Sequence, residues 1–276
     1  MRIESGGVWT MSSTTSHPRG IRSELSESSH RVREHRAAAT TAGILYIIGT
    51  VAGILSKTIT YFPVHGADDP LGYAARHSDA VTTGALLVLL MGLSLAFVPV
   101  VLFPVLRRVD EVLATGYLII RGALETTTYV IVAVAWLLLV PLAETMSAGP
   151  GTGSPEGVRL GTLVVDSEGA SAIMSLVFCL GGVLFYILLH RSRIVPRWIV
   201  SWGFAGLALY AAAYLLAIYG AIGINSATVD LLCLPLAVQE MVLAVWMIAR
   251  GFRPAAVSNA PAAVSGQSQP ATRALP

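Results

Sequence analysis

The sequence predicts an all-α polytopic membrane helix bundle of six transmembrane helices with both termini in the cytoplasm (N-in/C-in). Three observations carry that prediction. Six apolar runs, at 37–59, 81–106, 112–140, 169–189, 198–220 and 229–249, each reach the roughly 20 residues needed to cross hydrocarbon. Of 276 residues 54% are hydrophobic and only 12% charged, where soluble domains carry about 25% charge. The arginines, finally, gather on alternate connections between the runs.

In lipid every backbone polar group must be satisfied within its own segment, so runs of this length become helices. A barrel would show segments of about ten residues with alternating polarity instead. Orientation follows from the cations. Arg31, Arg33 and Arg36 precede run one, Arg107 and Arg108 follow run two, Arg191, Arg193 and Arg197 join runs four and five, and Arg250 and Arg253 follow run six. The other connections hold only Lys57, Arg76 and Arg159. Cytoplasmic loops carry the excess of Arg and Lys, which places both ends inside. Trp198 and Trp202 at the Arg-rich end, and Tyr61 with Phe62 at the other, suit the two membrane interfaces.

Residues 1–36 begin as a Ser-, Thr-, Arg- and Glu-rich stretch without apolar periodicity and read as a disordered cytoplasmic tail. Residues 37–252 form the membrane domain. A cleaved signal peptide would need an apolar region near the start, so run one is expected to stay as helix one, with Met11 an alternative start. Gly49 and Gly53 give helix one a small-xxx-small step suited to close helix approach. The connection that follows carries His65, Asp68, Asp69, His77 and Asp79, metal-ligand types without a spacing that fixes a geometry, and reads as a solvated loop.

Helix two contains Pro99 and Pro104, which should kink it. Helix three carries Arg121 and Glu125 inside its apolar run. Helix four contains Cys179 and helix six Cys233; their depths differ too much for an unstrained disulfide, and both read as small apolar fillers. Helix five opens at Pro196, where a missing donor costs nothing, and has a small face at Gly203, Gly206, Ala208 and Ala212. Helix six carries Gln239 and Glu240, with Pro235 expected to leave it bent or locally open. Residues 253–276, rich in Ala, Pro, Ser and Gln, read as a disordered cytoplasmic tail.

The chemistry concentrates in Arg121, Glu125, Gln239 and Glu240, because an ionised group at mid-membrane costs at least about 2.5 to 3.5 kcal/mol on insertion scales. Glu240 stands ten residues from Arg250 and Arg121 ten from Glu111, so both lie about 15 Å into a core about 30 Å thick. They can meet if helices three and six are neighbours. Glu125 is four residues beyond Arg121 on the same face. Two carboxylates around one guanidinium leave one negative charge in excess, a place where a proton can reside. Such a cluster acts as a structural lock, as a proton or ion site, or as a binding site for a lipid or small polar ligand.

No Gly-rich phosphate loop, nucleophile elbow or His-Glu-x-x-His pattern occurs, so no catalytic, cofactor-binding or metal residues are assigned and no enzyme is expected. The basic stretches lack the aromatics of a nucleic-acid site. The expected partners are the bilayer and anionic lipid headgroups at the cytoplasmic loops, with a homo-oligomer or a membrane partner subunit compatible. Lys57 is the only lysine against many arginines, which points to a GC-rich bacterial genome and hence to the bacterial cytoplasmic (plasma) membrane. Two functions stand: a structural or regulatory membrane component, or a small secondary transporter or proton-coupled carrier using Glu240.

The stretch Arg191-Ser192-Arg193-Ile194-Val195-Pro196-Arg197-Trp198, then Ser201-Trp202-Gly203, Gln239-Glu240-Met241-Val242-Leu243-Ala244-Val245-Trp246 and Arg250-Gly251-Phe252, resembles the bacterial multi-pass membrane family catalogued as domain of unknown function 4386. Val98-Pro99-Val100-Val101-Leu102-Phe103-Pro104 and the Arg121 and Glu125 pair are similar to it as well, over about residues 37–252. The resemblance implies no activity, cofactor or partner. It implies that Arg121, Glu125, Pro196, Arg197 and Glu240 belong to the family pattern, with Arg250 standing where a lysine is usual.

Overall fold

Residues 18–147 and 169–252, with Pro155 and Arg159 between them, are described by a computed structural model. All regular structure in them is helical. Six helices are long and apolar enough to cross a membrane: Arg33–His65, Ser78–Leu106, Glu111–Met146, Ile173–Ser192, Arg197–Ile218 and Ala227–Arg250. These are helices one to six below.

Helix one begins at Pro18, so residues 18–36 are helical where composition predicted a disordered tail. Nucleation is the costly step of helix formation. Once the apolar run is helical, each added residue gains one hydrogen bond for one residue fixed, and Pro18 loses no bond at the first turn. Residues 1–17, the expected tail at 253–276 and nearly all of the connection at 148–168 lie outside the described residues.

The packing partners run in chain order. Helix one lies against two, two against three, three against four, four against five, five against six, and six returns to one. The six therefore close into a ring in which helices three and six are opposite members. The expectation that Arg121 and Glu240 need neighbouring helices is corrected by this: helices three and six do not pack along their length.

Glycines line every seam of the ring. A Cβ at Gly49 or Gly53 of helix one would meet Leu95 or Met91 of helix two, and one at Gly92 would meet Tyr129 of helix three. Gly181 faces Arg121, Gly182 faces Leu207, a Cβ at Gly206 would stand 3.0 Å from the Leu236 backbone, and Gly43 faces the Ala244 carbonyl. Lipid tails are as apolar as leucine, so close backbone approach and dispersion must hold such seams. Ile54, Leu86, Ile131, Ile173, Leu209 and Leu231 are exposed on the outside of the ring, where acyl chains solvate them.

The widened backbone is not at Pro99, Pro104 or Pro235. Helix two is unbroken through Pro99 and Pro104, and helix six stays α-helical through Pro235. The opening expected beside Glu240 is thus absent from helix six; prolines are tolerated in membrane helices when neighbours re-satisfy the freed groups. Helix three instead widens to a π-helix at Leu118–Leu124, where Glu125 N–H donates to the carbonyl of Ile120. A second π segment, Lys57–Tyr61, occurs near the end of helix one.

The connections are anchored at both ends. Between helices one and two, Asp69 caps the short helix Pro70–Arg76 by accepting from Gly72 N–H at 2.9 Å. Val64, Leu71 and Ala74 there pack on Leu139 and Ala143 of helix three. At the Arg-rich end Asp110 caps helix three through Leu113 N–H and pairs with Arg191 at 2.6 Å. Pro196 is the residue preceding helix five rather than part of its first turn, and Ile194 and Val195 before it are fully buried. The stacked Trp198 and Trp202 lie beside them.

Candidate functional site

Four successive fourth residues of helix three, Tyr117, Arg121, Glu125 and Tyr129, are buried in the ring. In a regular α-helix a step of four overshoots the 3.6-residue turn by about 40°, so three steps would walk away from the interior. The wider π turn at Leu118–Leu124 absorbs part of that drift. The backbone irregularity keeps a polar stripe about 18 Å long on one face.

Arg121 sits at the centre with 2% of its side chain exposed. Its Nη1 is 3.6 Å from Glu125 Oε2, and its Nη2 is 3.6 Å from Glu240 Oε1, on the opposite helix. The long guanidinium arm thus spans the interior and joins helices that do not themselves pack together. Gly181 of helix four packs against its aliphatic stem: a Cβ there would stand 3.4 Å from Arg121 Cβ, in ordinary contact. Phe178 lies under the guanidinium at 4.5 Å and the Tyr46 ring is at 5.8 Å. Desolvated contacts of this kind contribute about 2 kcal/mol.

Both ion pairs are longer than a hydrogen bond. Among the described residues Arg121 Nε and Nη2 and Glu125 Oε2 have no hydrogen-bond partner. Glu125 does accept one bond, from the Tyr129 hydroxyl at 3.1 Å. The cluster holds one cation and two carboxylates. Glu125 is 1% exposed and Glu240 18%, so Glu240 is the more accessible carboxylate.

Gln239 belongs to a different contact set. Fully buried, it accepts from the Tyr186 hydroxyl at 2.6 Å and donates to the carbonyl of Ile199 at 3.0 Å, tying helix six to helices four and five. Gln239 thus ties neighbouring helices, as Ser56 does by donating to the Gly84 carbonyl at 2.9 Å, whereas Arg121 reaches across the middle. The aromatic partners Tyr46, Tyr117, Tyr129, Phe178 and Tyr186 were not singled out from sequence. The four-residue spacing of Tyr117 and Tyr129 around the charged pair was the signal available for two of them.

Among the described residues no three His, Cys, Asp or Glu side chains stand close enough to hold a metal ion. His65 and His77 are bonded to the carbonyls of Tyr61 and Tyr73, and Cys179 and Cys233 are free thiols. The arrangement can hold charge, share a proton between carboxylates and fix helix positions.

A family model described as a domain of unknown function, DUF4386, matches residues 41–251. No curated protein and no solved structure matches the chain.

Proposed function

The chain belongs to the DUF4386 family, and from its site we propose that it is a structural or regulatory membrane component whose bundle is locked by a buried charge cluster. The observation that carries this reading is the Arg121 guanidinium within 3.6 Å of both Glu125 and Glu240, with Glu240 on the opposite side of the ring. Removing one member of a buried ion pair strands the other, which is the usual reason such changes destabilise. A lock of this kind selects one arrangement of six helices whose outer faces are interchangeable to lipid. The reading carries no catalytic role.

We assign the bacterial cytoplasmic membrane from the excess of arginine over the single Lys57, and both termini inside from the distribution of the arginines. Arg107, Arg108, Arg193 and Arg197 then meet the anionic leaflet, each attracted by about 1 kcal/mol. A homo-oligomer or partner subunit would pack on the exposed outer faces.

A second reading, a small proton-coupled carrier using Glu240, is favoured by one feature: two carboxylates share one guanidinium and Glu240 retains 18% exposure. A pH-driven flux in proteoliposomes that Glu240→Gln abolishes would favour the carrier. Flux equal to that of empty liposomes under every imposed gradient, together with loss of stability in Arg121→Ala, would favour the lock.

A further inference from the structure

Three buried polar atoms at the centre of the ring make no hydrogen bond among the described residues: Arg121 Nε, Arg121 Nη2 and Glu125 Oε2. The guanidinium nitrogens can only donate, and an oxygen of an ionised carboxylate can only accept. A shift of the guanidinium does not satisfy them. Glu125 stands on its own helix and Glu240 on the opposite one, each 3.6 Å away, so an approach to one carboxylate draws away from the other. A hydrogen bond needs about 2.7–3.2 Å.

Neighbouring side chains bond elsewhere. Tyr129 donates to the other Glu125 oxygen at 3.1 Å, and Tyr186 donates to Gln239 at 2.6 Å. The Gln239 amide goes to the Ile199 carbonyl at 3.0 Å, and Thr128 turns back to the carbonyl of Glu125 at 2.6 Å. There is also room beside the cluster. Glu240 reaches inward to Arg121 and still keeps 18% of its side chain exposed, although it lies about 15 Å from the Arg250 end of helix six.

We propose that ordered water occupies the centre of the ring, held between Arg121 and the carboxylates of Glu125 and Glu240. Water is the smallest molecule that both donates and accepts, and the three atoms require both. Buried water typically makes about three hydrogen bonds to groups that are otherwise unsatisfied, and a polar contact longer than about 3.5 Å is a common place for it. Other guests fit less well. An alkali cation or a protonated amine would meet the carboxylates, but it would repel the guanidinium and leave its donors unbonded. An apolar guest would leave all three atoms unbonded.

Water here joins helices three and six through a molecule that can change partners, so the two helices can shift slightly without stranding a charge. The inference adds to the lock without resting on it, because a dry cluster would lock the ring as well.

The test is solid-state NMR of the full nitrogen-labelled chain in bilayers of deuterated lipid, following dipolar transfer from water protons to the Arg121 Nε–H, assigned through bonds from its own backbone. Transfer should build up several-fold faster there than at the backbone amides of Leu102, Leu188 and Leu243, whose residues are fully buried. Glu240→Met, which removes one carboxylate and fills the space beside it, should slow the build-up while Arg121 keeps Glu125. A build-up no faster than at the three leucines would overturn the inference, and the parent protein alone decides that comparison. Transfer unchanged in a folded Glu240→Met would overturn it too, as would transfer from the protons of an organic guest in place of water.

Discussion

Arg121 and Glu240 stand on opposite helices of a six-membered ring, yet their side chains approach to 3.6 Å. The Arg121 side chain spans that interior, packed on Gly181 of helix four. Arg121→Lys keeps the charge but loses the planar fork and its stacking on Phe178. It should lower the melting temperature in detergent, with Arg121→Met lower still because both carboxylates then lose their cation.

Gln239 is satisfied by two bonds in a fully buried setting, from Tyr186 and to Ile199. Gln239→Leu leaves the Tyr186 hydroxyl and the Ile199 carbonyl without it, and should destabilise by about 1–3 kcal/mol in a detergent unfolding titration. Tyr186→Phe removes one bond only and should cost less.

The seam between helices five and six depends on Gly206, where a Cβ would stand 3.0–3.2 Å from Leu236. Two of those contacts are to backbone, which cannot swing aside. Gly206→Val is therefore expected to overpack the seam at about 1–3 kcal/mol, read as a fall in thermal stability. Ala212→Val in the same helix should cost less, because Ala212 is exposed.

Asp110 both caps helix three and pairs with Arg191. Asp110→Ala should lose about 0.5–2 kcal/mol, chiefly through the cap. Arg191→Ala should lose about 1 kcal/mol or less, since its guanidinium is largely in solvent. A denaturation series on the two variants separates cap from ion pair.

Topology is checked by labelling intact cells with a membrane-impermeant thiol reagent, after Cys179 and Cys233 are replaced by serine. Both test positions are exposed. Asp68→Cys should label from outside and Arg193→Cys only after lysis.

The spans were legible because lipid imposes one requirement, satisfied backbone over a fixed thickness, and composition answers it directly. Arg121, Glu125 and Glu240 stood out for the same reason. The ring order was not legible: Gly43, Gly92 and Gly206 mark seams, but a glycine does not name the helix it faces. The π segment around Arg121 was equally hidden, since Leu118–Leu124 reads as an ordinary apolar turn. Pro235 drew attention to helix six although the irregular backbone lay across the ring. The helical start at Pro18 was missed because it is extended from the apolar run behind it.

The most direct test of the lock is a double-mutant cycle on thermal or chemical stability in detergent, with Arg121→Ala, Glu240→Ala and the pair combined. Each single change should destabilise, and the double should be little worse than either, giving a coupling of about 1 kcal/mol or more. Singles as stable as the parent, or a double equal to the sum of the two, would contradict the claim that Arg121 and Glu240 hold the ring together.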